Sequence, residues 1–190
     1  MISIISQAFL DLKGSLDEAK AQEGAIMGVA EAFAKSIKDG GTVFICGNGG
    51  SAAEAQHFAA EFVGRFLRER PGLPAVSLSA DTSKLTAIGN DYGYDEVFAR
   101  QLAALSRPGD CLWAMSTSGT SPNVLKALAV AKERGLFSIL MCGRSLQDPT
   151  IATQVLYSPA PSTPRIQELH LLYGHLICHL VDEILFSKAP

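Results

Sequence analysis

Short apolar runs closed by turn residues alternate with helical patterns along most of this 190-residue chain. The runs are Thr42–Cys46, Ala75–Ser79, Cys111–Met115, Phe137–Met141 and Thr153–Tyr157. Uninterrupted apolar runs of this length suit strands covered on both faces, and strands alternating with helices argue for a parallel sheet wrapped by helices. Helical patterns fill 51–67, 93–105, 121–134 and 163–186. Two amphipathic helices come first, roughly Ile2–Gln22 and Gly24–Lys38, the second ended by Asp39-Gly40-Gly41. The expectation is one α/β domain over residues 1–190: a doubly wound, five-stranded, mostly parallel sheet flanked by helices, with residues 1–40 as a helical N-terminal extension. In such sheets ligands collect at the carboxyl ends of the strands. The pattern does not give the strand order.

Hydrophobic residues make up 47% of the chain and charged residues 18%, enough apolar surface for a real core. A net charge of −3 provides no broad basic face, so a nucleic-acid partner is not expected and an anionic ligand must be gripped locally. Residues 1–22 carry Asp11, Lys13, Asp17 and Glu18, and show neither a leader nor an apolar run that could span a bilayer. A cytoplasmic protein with no membrane partner is therefore expected. The four cysteines, Cys46, Cys111, Cys142 and Cys178, form no Cys-x-x-Cys and read as small buried apolar residues.

Two turns look built for an anion. The first strand runs into Gly47-Asn48-Gly49-Gly50-Ser51, where glycines let a ligand approach the backbone and Ser51 could cap the helix that follows. Neither Gly-x-Gly-x-x-Gly nor a Walker Lys-Ser/Thr pair is present, which speaks against dinucleotide and nucleoside triphosphate readings. The third strand runs into Ser116-Thr117-Ser118-Gly119-Thr120-Ser121, with Pro122 at a helix start. Five hydroxyls around one glycine at a helix N-terminus suit a phosphate without any arginine. The plain alternative is a hydroxyl-rich capping turn without a ligand.

Two helices carry the remaining chemistry. His57 and Glu61 are four apart and share a face, as a zinc pair or an acid–base pair would, and Arg65 extends that face by another four residues. A solvated His–Glu–Arg ladder has the same spacing. Glu54, one turn earlier, is a further carboxylate on this helix. The last helix holds His170, His175 and His179 in an apolar stretch, where buried imidazoles need partners. On spacing alone His175 and His179 form the obvious metal pair.

Gly47-Asn48-Gly49-Gly50-Ser51-Ala52-Ala53 and Ser116-Thr117-Ser118-Gly119 together resemble the two signature turns of the sugar-isomerase (SIS) domain family, which has a flavodoxin-like sheet. Thr86–Tyr94, and Arg165-Ile-Gln-Glu with Gly174-His175, are similar to the phosphoheptose isomerase branch. The resemblance runs from about residue 41 to 186. It implies a phosphosugar substrate cradled by Ser116, Thr117, Ser118 and Ser121. Asn48, Gly49, Gly50, Ser51, Arg65, Asn90, Asp91 and Gln167 become candidate substrate contacts. It implies one Zn2+ per subunit on His57, Glu61, Gln167 and His175, rather than on His175 and His179. Gln167 and His175 are eight residues apart, about 12 Å on a regular helix, which strains that set. The implied reaction converts sedoheptulose 7-phosphate to an aldose phosphate, with Glu61 and His175 as the acid–base pair, in a homotetramer assembled through residues 1–40. A sister group of the same fold, which binds a replication initiator and has no isomerase role, is the main alternative. A phosphosugar-sensing regulator is a third, though no DNA-binding segment is evident.

Overall fold

The computed structural model describes residues 3–143, 146 and 148–187. Ile2, the expected start of the first helix, lies outside them. Two helices, α1 (Ile4–Ala19) and α2 (Glu23–Lys38), lead into β1 (Val43–Cys46) and α3 (Gly50–Val63). Then follow β2 (Ala75–Ser77), α4 (Thr82–Tyr92), α5 (Ala99–Leu105) and β3 (Cys111–Met115). The chain finishes with α6 (Pro122–Glu133), β4 (Phe137–Cys142), β5 (Gln154–Tyr157) and α7 (Thr163–Phe186).

The sheet runs β2-β1-β3-β4-β5, and every pairing is parallel rather than mostly so. This is the flavodoxin-like order, and the winding reverses between β1 and β3. Successive residues of a strand point to opposite faces. Val43, Ile45, Trp113, Met115 and Met141 therefore join the core beneath α2, α3 and α7, whereas Phe44, Leu112, Ala114 and Leu140 join the core beneath α5 and α6. All four cysteines are free and buried, as expected.

Three sequence expectations need correction. Thr82–Tyr92 is a helix, capped by Asp81 accepting from the Lys84 amide, and the apolar pattern missed it because none of its residues is buried. The helix expected from 93 starts at Ala99, because Gly93 turns the chain at φ +88°. The helix expected to reach 67 stops at Val63. By length and composition α7 could cross a membrane. Its apolar face is instead buried in the core through Leu169, Tyr173, Ile177 and Val181, and it also buries His170 and Asp182.

Candidate active site

Because β1 and β3 are neighbours, the turns after them lie side by side at the winding reversal. Gly49, at φ +56°, swings the chain into α3 and is itself the N-cap. Ser51 thus falls inside the first turn and does not cap. It is 3% exposed, and its hydroxyl donates to Glu54.

In the second turn Ser121 is the N-cap of α6 and Pro122 its first residue. Instead of capping, the Ser121 hydroxyl lies 2.9 Å from that of Ser116, which lies 3.4 Å from that of Ser118. Ser118 Oγ accepts from the Thr120 amide and hydroxyl at 3.2 and 3.0 Å. Thr117 completes the segment and is half-buried. Hydroxyls are thereby gathered over a helix start, an arrangement suited to a phosphate. A reciprocal amide pair locks the two turns together. Asn48 Nδ2 donates to Asn123 Oδ1 at 2.8 Å, and Asn123 Nδ2 donates back to Asn48 Oδ1 at 2.9 Å. The Tyr94 hydroxyl lies 3.5 Å from the same Asn48 oxygen. Sequence reasoning missed Asn123, which looks there like an ordinary first-turn residue.

The His/Glu cluster is made by close approach of α3 and α7. Phe58 stacks on Trp113 at 4.7 Å and is fully buried. A Cβ on Gly174 would come within 2.1 Å of the Phe58 ring, so only glycine lets the helices meet here. The residues beside this contact are His57 and His175, whose Nε2 atoms lie 2.8 Å apart. Glu61 Oε1 is 3.5 Å from His57 Nε2, and donor atoms of all three residues fall within 4.8 Å of one another. The His57 and Glu61 side chains remain 41% and 22% exposed, so the cluster is open to a ligand.

Two imidazoles and one carboxylate are the donor set of many catalytic zinc sites, which keep a fourth position open. Donors on one tetrahedral ion sit about 3.3 Å apart, close to the spacing found here. The residues therefore fit a zinc-like cation. Burial, with His57 alongside, holds His175 below the ordinary histidine pKa, against the opposing pull of Glu61. Its lone pair is thus available for a metal or a proton.

The remaining candidates divide. His179, the partner favoured by spacing, pairs with Glu183 at 3.8 Å and is not among the clustered donors. The Gln167 amide lies against Gly50, seven residues or about 10 Å along α3 from His57, so it sits at the first turn rather than within the cluster. Arg65 lies past the end of α3 and pairs with exposed Glu69 at 3.8 Å, which breaks the expected ladder. Asn90 donates to Asp91 at 2.8 Å on the exposed surface of α4. Deep between the helices, Glu54 Oε2 is 3.9 Å from Nδ1 of fully buried His170. Burial pushes Glu54 up to about 7, partly offset by Ser51, and drives His170 down to about 3.

Sheet order, paired turns and histidine cluster together define a phosphosugar-binding domain of the SIS type, and the SIS-domain family profile matches residues 9–142. The phosphoheptose isomerase of Thermodesulfovibrio yellowstonii is 52% identical over 162 residues, covering 84% of this chain and 80% of the relative. Two solved phosphoheptose isomerases superpose closely. That of Neisseria gonorrhoeae has a TM-score of 0.85 at 41% identity, covering 94% of this chain and 97% of its own. That of Francisella tularensis has a TM-score of 0.90 at 33% identity, covering 96% and 100%. This chain belongs to the phosphoheptose isomerase family of SIS-domain proteins.

Proposed function

We propose that this enzyme converts D-sedoheptulose 7-phosphate to D-glycero-D-manno-heptose 7-phosphate. Family membership supports the reaction class. The observation that carries the residue assignment is the meeting of His57, Glu61 and His175 within 4.8 Å, from two helices far apart in sequence. The initiator-binding alternative is not favoured, since relatives at about half identity bear the isomerase name.

Phosphate binds at Ser116, Thr117, Ser118 and Ser121, and anchoring that end spends remote binding energy on orienting C1 and C2. Glu61 removes a proton from C1 and returns it at C2, passing through an enediol. His175, with Nε2 turned to the cation position, serves O1 and O2 through Nδ1, giving a proton to O2 and taking one back from O1. His57, Glu61 and His175 would hold one zinc ion per subunit without Gln167, and the ion would supply Lewis-acid polarisation of substrate oxygens. The two oxygens of Glu61 allow one to face the cation and one the substrate. Asn48, Gly49, Gly50 and Ser51 shape the sugar end of the pocket, and the position of Gln167 against Gly50 also supports a substrate contact. Arg65, Asn90 and Asp91 are solvent-facing in one protomer and serve a pocket completed by a second copy.

On this reading residues 1–190 form a single domain working as a cytoplasmic homotetramer. It supplies heptose for ADP- or GDP-heptose and thence lipopolysaccharide or another surface glycan. Support for assembly comes from Ile4, Ile5 and Phe9 on α1, which are 91%, 70% and 71% exposed. An apolar groove of about 890 Å³ also runs between α1, α2 and α7. Such surface favours a partner face. The test is turnover of sedoheptulose 7-phosphate by zinc-loaded protein. Glu61→Gln should lower kcat about 100-fold or more, the usual contribution of a positioned base. Unchanged turnover would remove Glu61 from the mechanism.

A further inference from the structure

After α3 the chain doubles back, and Arg70 returns beneath the helix end it has just left. Arg70 and Asp182 have side chains only 2% exposed, and Arg70 Nε donates to Asp182 Oδ1 at 2.9 Å. The rest of the guanidinium is spent on backbone. Nη2 donates to the carbonyl of Glu61 at 2.8 Å, and Nη1 to those of Phe62, Gly64 and Pro71 at 2.6, 3.0 and 3.1 Å. The last carbonyls of a helix lack intrahelical partners and carry its partial negative charge, so a cation is well placed there. Asp182 stands on α7 seven residues beyond His175, two turns along the same face.

One planar ion thus ties the backbone of residue 61 to the helix that carries His175. Stability is a poor explanation for it. A buried ion pair roughly breaks even against apolar residues of similar volume. This one also leaves Asp182 Oδ2 without a hydrogen-bond partner among the described residues. What the fork does supply is direction, because its donors have fixed angles. We propose that Arg70 and Asp182 are positioning residues, setting the spacing and rotation of α3 against α7 so that His57, Glu61 and His175 converge on one cation. The inference rests on the cluster being the metal and acid–base site proposed above.

The test uses the full chain in three forms. Arg70→Lys keeps the charge and loses the fork. Asp182→Asn keeps an acceptor and loses the charge. The double variant Arg70→Met with Asp182→Leu removes the pair at similar volume. Zinc affinity is read by competition with a chromophoric chelator, geometry by the visible spectrum of the cobalt-substituted protein, and folding by Tm. Supporting partners of metal ligands typically contribute 10–100-fold in metal affinity or activity. Arg70→Lys should weaken zinc binding by about that factor, alter the cobalt spectrum and lower kcat, with little change in KM because the phosphate turn is untouched. The double variant should melt near the wild type yet show the same weakened zinc binding. Folded variants with wild-type zinc affinity and cobalt spectrum would overturn the positioning role while leaving the cluster reading intact. Wild-type protein that bound no zinc would overturn both.

Discussion

The two halves of the site are built in opposite ways. The phosphate turn is local: Ser116 to Ser121 are contiguous, and the helix start that aligns them is next in the chain. The His57–Glu61–His175 cluster is tertiary. Its two imidazoles are 118 residues apart and meet only because Phe58 and Gly174 let two helices touch. A local site survives small shifts in packing, whereas a tertiary one inherits every error in how its helices dock. Substitutions should therefore separate the halves.

The largest separation is expected at Gly174. A Cβ there would strike a Phe58 ring held against Trp113. Gly174→Ala should cost about 1–3 kcal/mol in denaturant unfolding, as overpacking does. It should also lower kcat about 100-fold, since displacements near 1 Å are that costly to positioned chemistry. Phosphate binding should persist. The converse variant, Ser116→Ala with Ser121→Ala, should raise KM for the sugar phosphate roughly tenfold or more, by loss of hydrogen bonds to a charged group. Zinc affinity should stay at the wild-type level. Asn123→Ala probes the seam between the turns. Its loss leaves Asn48 without its reciprocal partner and should cost about 1–3 kcal/mol of stability, with a smaller rise in KM.

The smallest effect concerns pH. Burial lowers His170 from 6.5 to about 3 and raises Glu54 from 4.5 to about 7. Between about pH 4.5 and 6.5 each state of the pair holds one proton, on histidine when unfolded and on Glu54 when folded, so stability is flat. Below that window the unfolded pair binds one proton more and stability falls with acid. Above it, up to about pH 7, only the folded pair keeps its proton and stability falls as pH rises. Glu54→Gln should abolish the alkaline limb and let the acid limb begin near pH 6.5 in urea unfolding measured across pH.

Legibility in the sequence follows the same division. The five strands lie within one or two residues of their apolar runs; β1, β3 and β4 are buried on both faces and need little beyond their own composition, and the part-exposed edge strands β2 and β5 are still bounded by turn residues. The Ser/Thr turn is readable for the same reason. Helix α4 is not, since it buries no residue and so leaves no apolar period. His57 and Glu61 announce a shared face, but their partner could not be chosen by spacing, which pairs His175 with His179 instead. A glycine–phenylalanine contact makes that choice, and neither residue hints at the other. Arg70 is hidden still better: Arg68-Glu69-Arg70-Pro71 looks like a solvated charged loop, yet one of its guanidiniums is nearly inaccessible.

The most direct test is the metal content of zinc-loaded protein after dialysis, for the wild type, His57→Ala and His179→Ala. Convergence of α3 and α7 on one cation predicts one zinc per chain in the wild type and in His179→Ala, and none retained in His57→Ala. Zinc kept by His57→Ala but lost from His179→Ala would contradict it.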